Sequence, residues 1–277
     1  MGLRINTNVA SISGMNNMKK VTAAQSESNA KLSSGSRINK SADDAAGLAI
    51  SEKMKSHIRS SKQASRNASD AVSMIQVSEG GLNEISGMLT RLRELAIQSG
   101  SDTVGDKERQ YLDKEYQQLK NEIQRISQTT EFNGKKLLAG DGDVYDFQVG
   151  IMNNDFEDRI TYNSAEVGAT LDSLGIANAE AATKKGAQQS LGALDEAIQR
   201  VSENRSTLGA LQNRLGVTIN NLDTSVENLS AANSRIRDLD FAEESAESAR
   251  LAVLQNASTS VLAQANASGS YALKLIG

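Results

Sequence analysis

Leu208, Leu215, Leu222, Leu229 and Ile236 recur every seven positions, and Leu211, Ile219 and Val226 fill the steps between them. This 3-4 spacing sets one narrow apolar stripe of a helix against partner helices. Two further runs repeat it: Ile75, Leu82, Ile85, Leu89, Leu92 and Ala96, then Leu112, Tyr116, Leu119, Ile123 and Ile126. The 277-residue chain contains no Pro, the strongest helix breaker. Aromatic residues make up only 3% and apolar residues 38%, too little bulk for a broad globular core. The expected fold is mainly α: a long antiparallel helical bundle, or coiled-coil rod, with a small β-hairpin element.

Ser41, Asp43 and Asp44 offer caps for a helix running to about Ser99, which at 1.5 Å per residue would be roughly 80 Å long. Gly100-Ser101-Asp102 ends it, and Gly105-Asp106 opens a second helix to about Thr129. A third stretch begins near Glu180 and continues to about Leu239, and a last helix runs from Phe241 to Lys274. Between them, Phe132-Asn133-Gly134 signals a turn. Tyr145–Val149 and Arg159–Tyr162 alternate around Asn153-Asn154-Asp155, the one region that reads as strands.

The inventory of reactive groups is bare. With no Cys and a single His, His57 among Lys53, Lys55 and Arg59, neither a Ser-His-Asp nor a Cys-His arrangement has its parts. Asp141-Gly142-Asp143 starts like a calcium loop, but Asp146 stands where Gly is needed and Met152 where Glu is needed. No Gly-rich phosphate loop appears. The 30 basic and 34 acidic residues are interleaved and lack stacking aromatics, so neither nucleic acid nor an anionic membrane is indicated. No stretch is long and apolar enough to span a bilayer, and the N-terminus lacks a secretory signal pattern. The expectation is a non-enzymatic protein without catalytic residue, metal or cofactor.

Both ends are charge-poor. No charged residue lies between Arg4 and Lys19, or between Arg250 and Lys274. Each stretch is nevertheless amphipathic, with Ile5, Val9 and Ile12 in the first and Leu251, Leu254, Val261, Ala265, Ala272 and Leu275 in the last. An uncharged polar face suits a helix covered on its outer side as well, since burying unpaired charge is costly. The ends are therefore expected to pair with each other and with neighbouring copies. They should be disordered in the monomer over 5–30 and 250–275 and fold on assembly.

Several blocks resemble bacterial flagellin. They are Arg4–Val9, Leu32–Asn39, Ala42–Ile50, Arg93–Ser99, Glu131–Gly134, Ser234–Glu244 and Val261–Asn266. The resemblance implies a structural subunit of the motility filament, a homo-polymer, with a hook–filament junction protein as the alternative. Terminal helices 1–43 and 240–277 would form the inner filament core, and 44–239 a helical rod carrying the hairpin region at about 131–175. The middle is too short for the variable outer domains of larger flagellins. The resemblance also implies extracellular localisation through type III export without a cleaved signal, and an export chaperone, cap and junction proteins as partners. Arg91, Leu95 and Glu115 match the positions by which a vertebrate Toll-like receptor contacts flagellins.

Overall fold

The computed structural model describes residues 7–274, with side chains described through Ala267. It is 73% helical, with long helices packed antiparallel and two small antiparallel strand pairs. The order is α1 (Val9–Ser34), α2 (Ala45–Ser99), α3 (Asp106–Thr129), β1 (Glu131–Phe132), β2 (Lys135–Lys136), β3 (Val144–Gln148), β4 (Arg159–Asn163), α4 (Leu171–Leu174), α5 (Lys184–Arg237) and α6 (Phe241–Lys274). Contacts divide the chain into a central unit, His57–Glu227, and a terminal unit made of residues up to Ser56 and from Asn228 onward.

The buried side of α2 in the central unit reads Ser61, Ala64, Ala68, Ala71, Ile75, Ser78, Leu82, Ile85, Leu89, Leu92, Ala96 and Ser99, an unbroken 3-4 alternation. Residue size along this ladder follows what stands opposite. From Ile75 to Leu92 the large residues share one cluster with Tyr116 and Ile123 of α3 and with Leu194, Val201, Leu208 and Leu215 of α5. Each such side chain contributes roughly 1.5–3 kcal/mol by leaving water. Thr130, just past α3, lies against Gly81. Beyond that level α2 meets α5 through alanines and the Ser65–Asp223 hydrogen bond at 3.2 Å. There the heptad residue Leu222 is only half-buried.

Two buried cations stitch loops to helices. Arg109 donates to the Ser99 carbonyl at 2.9 Å and the Ser101 carbonyl at 2.9 Å. It thereby satisfies carbonyls that the end of α2 leaves without partners. Lys120 donates to the carbonyls of Ala177 and Ala179, both at 2.8 Å, and its burial pulls the ammonium pKa down. Charge alone would put both in water, although their spacing from Tyr116 and Ile123 sets them on the buried face of α3.

Burial pushes the Tyr116 phenol up to about 12. Because the folded value exceeds the unfolded one of about 10, the associated stability is fully present below pH 10 and is lost as pH climbs through 12. Wild type is expected to lose roughly 2 kcal/mol of stability relative to Tyr116→Phe between pH 9 and pH 12, measured by urea unfolding. Parallel pH curves for the two proteins would contradict this.

The β3–β4 hairpin forms as read, with Tyr145 opposite Tyr162 and their rings stacked at 5.9 Å between centroids. Tyr162 Oη donates to the Leu137 carbonyl at 2.8 Å and Tyr145 Oη to the Lys136 carbonyl at 3.1 Å, tying the hairpin to the segment before it. The structure adds a second pair that the sequence reading left as a turn. β1 and β2 flank Asn133 (φ 50°) and Gly134 (φ 76°), the two positive φ values of a type I′ turn. Strands of two residues are too short for alternation to register.

Candidate assembly surface

In the terminal unit α1 and α6 lie side by side over their described lengths. Asn8 caps α1 by accepting from the Ser11 N–H at 3.0 Å, and its Nδ2 donates to the Ala265 carbonyl at 2.8 Å. Ser11 Oγ donates to Asn266 Oδ1 at 2.7 Å, and Gln25 Nε2 to Ser248 Oγ at 2.9 Å. Leu262 covers Gly14, where a β-carbon would sit 3.5 Å from Leu262 Cδ1. The seam is thus neutral, small and hydrogen-bonded, with Leu251, among the described residues, its one buried large apolar residue.

Several large apolar residues of these helices face outward instead. Val9 is 61% exposed and Val261 58% exposed, and Ile12, Met15, Val253 and Leu254 are exposed too. Of the predicted assembly residues, Leu251 is spent inside the α1–α6 seam, while Val9, Ile12, Leu254 and Val261 stand free of it. Ile5 and Leu275 lie outside the described residues, as does the side chain of Ala272. The single apolar stripe read along α6 needs correction on this point. The positions turned toward α1 are 251, 255, 258, 262 and 265, whereas Leu254 and Val261 belong to a second ladder, 251, 254, 258, 261 and 265. The two ladders share three positions and diverge at the other two.

Where α1 leaves and α6 enters, the chain zips to itself. Gly35 ends α1 at φ 65°, a left-handed conformation that suits glycine. The Arg37 N–H then donates to the Arg237 carbonyl at 2.7 Å, and the Leu239 N–H to the Gly35 carbonyl at 3.1 Å. Asp43 accepts from the Asn39 and Lys40 N–H groups, both at 2.9 Å, and these bonds from Lys40 and Asn39 pull its carboxyl pKa down. Of the three caps offered by the sequence, Asp44 serves α2, accepting from the Gly47 N–H at 2.8 Å.

The three residues matched to receptor contacts do not share a surface. Arg91 donates to Glu115 at 2.9 and 3.0 Å and to Glu94 at 2.9 Å, bonds that raise its pKa further, and all three are exposed. Leu95 is fully buried in the core cluster. It cannot touch a receptor from the folded surface, and its effect there is limited to shaping α2.

Among the described residues no group of three or more His, Cys, Asp or Glu could hold a metal ion. No described helix is long and apolar enough to cross a membrane. Comparison with known proteins points one way. The family described as "Bacterial flagellin N-terminal helical region" matches residues 5–143, and "Bacterial flagellin C-terminal helical region" matches 191–276. The chain is 46% identical to a flagellin of Halalkalibacterium halodurans, covering 89% of each. It is 41% identical to a flagellin of Bacillus subtilis over 99% of this chain and 100% of that one. A flagellar filament core protein of Brachyspira hyodysenteriae is 39% identical over 98% and 99%. The crystal structure of Bacillus cereus flagellin covers 61% of this chain and 94% of its own at 32% identity, with a TM-score of 0.50. A flagellar hook-associated protein structure from Vibrio parahaemolyticus, at 12% identity and a TM-score of 0.59, shares the fold alone.

Proposed function

Since the chain belongs to the bacterial flagellin family and is a structural subunit of the extracellular flagellar filament, we propose that it polymerises through the outward apolar ladder of its terminal helices. The observation that carries this is the division of labour on α6. One ladder, with Leu262, is used on α1, and on the other Leu254 and Val261 stay exposed among the described residues. Uncovered apolar residues on a pair of adjacent helices are an unmet demand for a partner. Neighbouring copies supply it, so that the paired terminal helices α1 and α6 form the inner filament core.

The same accounting makes the isolated pair weak. One buried leucine and a set of neutral hydrogen bonds offer little against the ordering cost of two helices. Amides of α1 and α6 are expected to exchange freely in the monomer and to become protected in the filament, read by hydrogen exchange on both states. Strong protection in the monomer would sink the proposal.

A second reading concerns innate recognition. The Arg91–Glu115 pair is exposed on the central unit, and its charges are available to a receptor that competes for them. Arg91→Ala is expected to lower signalling in a Toll-like-receptor reporter assay by roughly tenfold, the cost of one lost charged contact. Unchanged signalling by monomer of wild-type stability would reject it.

A further inference from the structure

The chain has no Cys and no Trp, so its seven methionine thioethers are the side chains most open to two-electron oxidation. The fold shields them unequally. Met74 is 4% exposed in the central core, and Met88 packs against the same cluster. Met18 and Met54 are half-buried, and Met1 lies outside the described residues. Among the described residues two methionines are exposed, Met15 at 44% and Met152 at 67%.

These two have different settings. Met152 belongs to the loop between β3 and β4 in the central unit, where its N–H donates to the buried Asp158 carboxylate at 3.2 Å. Met15 belongs to α1 in the terminal unit. Its neighbour Gly14 is the residue that Leu262 of α6 covers. One step along an α-helix turns the side chain by about 100°, which carries Met15 off that seam. Met15 follows Ile12 by three residues, as Ile12 follows Val9, and residues so spaced are neighbours on a helix surface. Val9, Ile12 and Met15 therefore make an outward apolar strip on α1, the counterpart of Leu254 and Val261 on α6.

We propose that Met15 is an oxidation-sensitive site on this surface: its sulfoxide keeps a copy out of the filament, and a neighbouring copy shields it once assembled. The proposal rests on the assembly reading above, which supplies the cover. In the reaction the thioether sulfur attacks one oxygen of hydrogen peroxide. A sulfur–oxygen bond forms and the oxygen–oxygen bond breaks. The proton on the transferred oxygen passes to the leaving one, which departs as water. Sulfur gives up two electrons and the peroxide takes them.

The product replaces a flexible apolar side chain with a polar, chiral one. In the monomer the new oxygen stands in water and costs little. Beneath a neighbour it is buried at a position shaped for apolar contact, beside Ile12, and loses its hydration. Oxidation before assembly and oxidation after it thus have opposite fates. Damaged copies are left out, and copies already incorporated are protected.

Full-length monomer is treated with hydrogen peroxide, quenched with catalase and polymerised from wild-type seeds. Sedimentation gives the critical concentration, and peptide mass spectrometry gives the oxygen added at each methionine. Peroxide is expected to raise the wild-type critical concentration about tenfold, the effect of one unpartnered polar group in an interface. Met15→Leu should lose the effect and Met152→Leu should keep it. Methionine sulfoxide reductases acting on both epimers should restore the untreated value. In filaments given the same peroxide, Met15 is expected to oxidise roughly tenfold more slowly than in monomer. Equal rates in the two states, or a Met15→Leu chain inhibited as strongly as wild type, would overturn the proposal. Should Met15→Leu fail to polymerise, Met15→Gln without peroxide puts the same question. It should raise the critical concentration with urea unfolding of the central unit unchanged, and assembly at the wild-type concentration would reject the site. Untreated wild type that never polymerises would remove the filament assignment itself. A tolerated sulfoxide at Met15 in a chain that Val261→Asp blocks would overturn this proposal alone.

Discussion

Val261→Asp is expected to raise the critical concentration for polymerisation at least about a hundredfold while leaving urea unfolding of the central unit unchanged. Val261 is 58% exposed in the single chain, so a carboxylate there meets water and costs little in the monomer. In a filament whose neighbours cover the outer ladder of α6, the same carboxylate would be desolvated in a stretch with no charge between Arg250 and Lys274 to pair with it. An uncompensated buried charge costs roughly 3–5 kcal/mol, and a hundredfold change corresponds to about 2.7 kcal/mol. Leu254→Asp on the same ladder should behave alike, whereas Val261→Thr, which keeps the shape and adds only a hydroxyl, should shift assembly much less. Sedimentation of seeded polymerisation reads all three. Val261→Asp assembling at the wild-type concentration would show that this ladder stays in water.

The largest stability effect is expected at Leu89. Its side chain is fully buried in the ladder of α2, within the cluster that also holds Tyr116, Ile123 and Leu208. Leu89→Ala removes its transfer free energy and leaves a cavity that three long helices cannot collapse without shifting register. The cost should be about 3 kcal/mol. For a unit of this size that lowers the melting temperature by roughly 6–12 °C. Calorimetry on the monomer measures it, and a shift under about 2 °C would mean that α2, α3 and α5 close over the gap. The alanines at 64, 68 and 71 invite no such loss, since little side chain remains there to remove.

Periodicity carried most of the fold because the ladders in the central unit are long and strongly apolar. Leu82, Ile85, Leu89 and Leu92 admit one phase only, and Asp44 and Gly105 mark boundaries by cap chemistry that sequence states openly. The proposed assembly surface was legible in part. The missing charges at both ends pointed toward it, but on α6 apolar residues are sparse enough to satisfy two ladders equally, and composition cannot choose between Leu254 with Val261 and Gln255 with Leu262. Tertiary contact with Gly14 made that choice. Arg109, Lys120 and Leu95 escaped for a related reason. Helical spacing says which residues share a face, not how deep that face will lie once loops such as 176–181 fold over it.

The Asn8–Ala265 hydrogen bond joins residues 257 positions apart. The central unit closes within 57–227, whereas the α1 side chains Gln25, Ser11 and Asn8 find their α6 partners only at Ser248, Asn266 and Ala265. A chain delivered N-terminus first would thus complete its middle early and its ends late, because bringing such distant segments together bears the longest loop-closure cost in the molecule. Arrival of α6 then acts as a completion signal. On the proposed assembly, a truncated subunit keeps a folded centre but lacks the second helix of the terminal pair and is not added to the polymer.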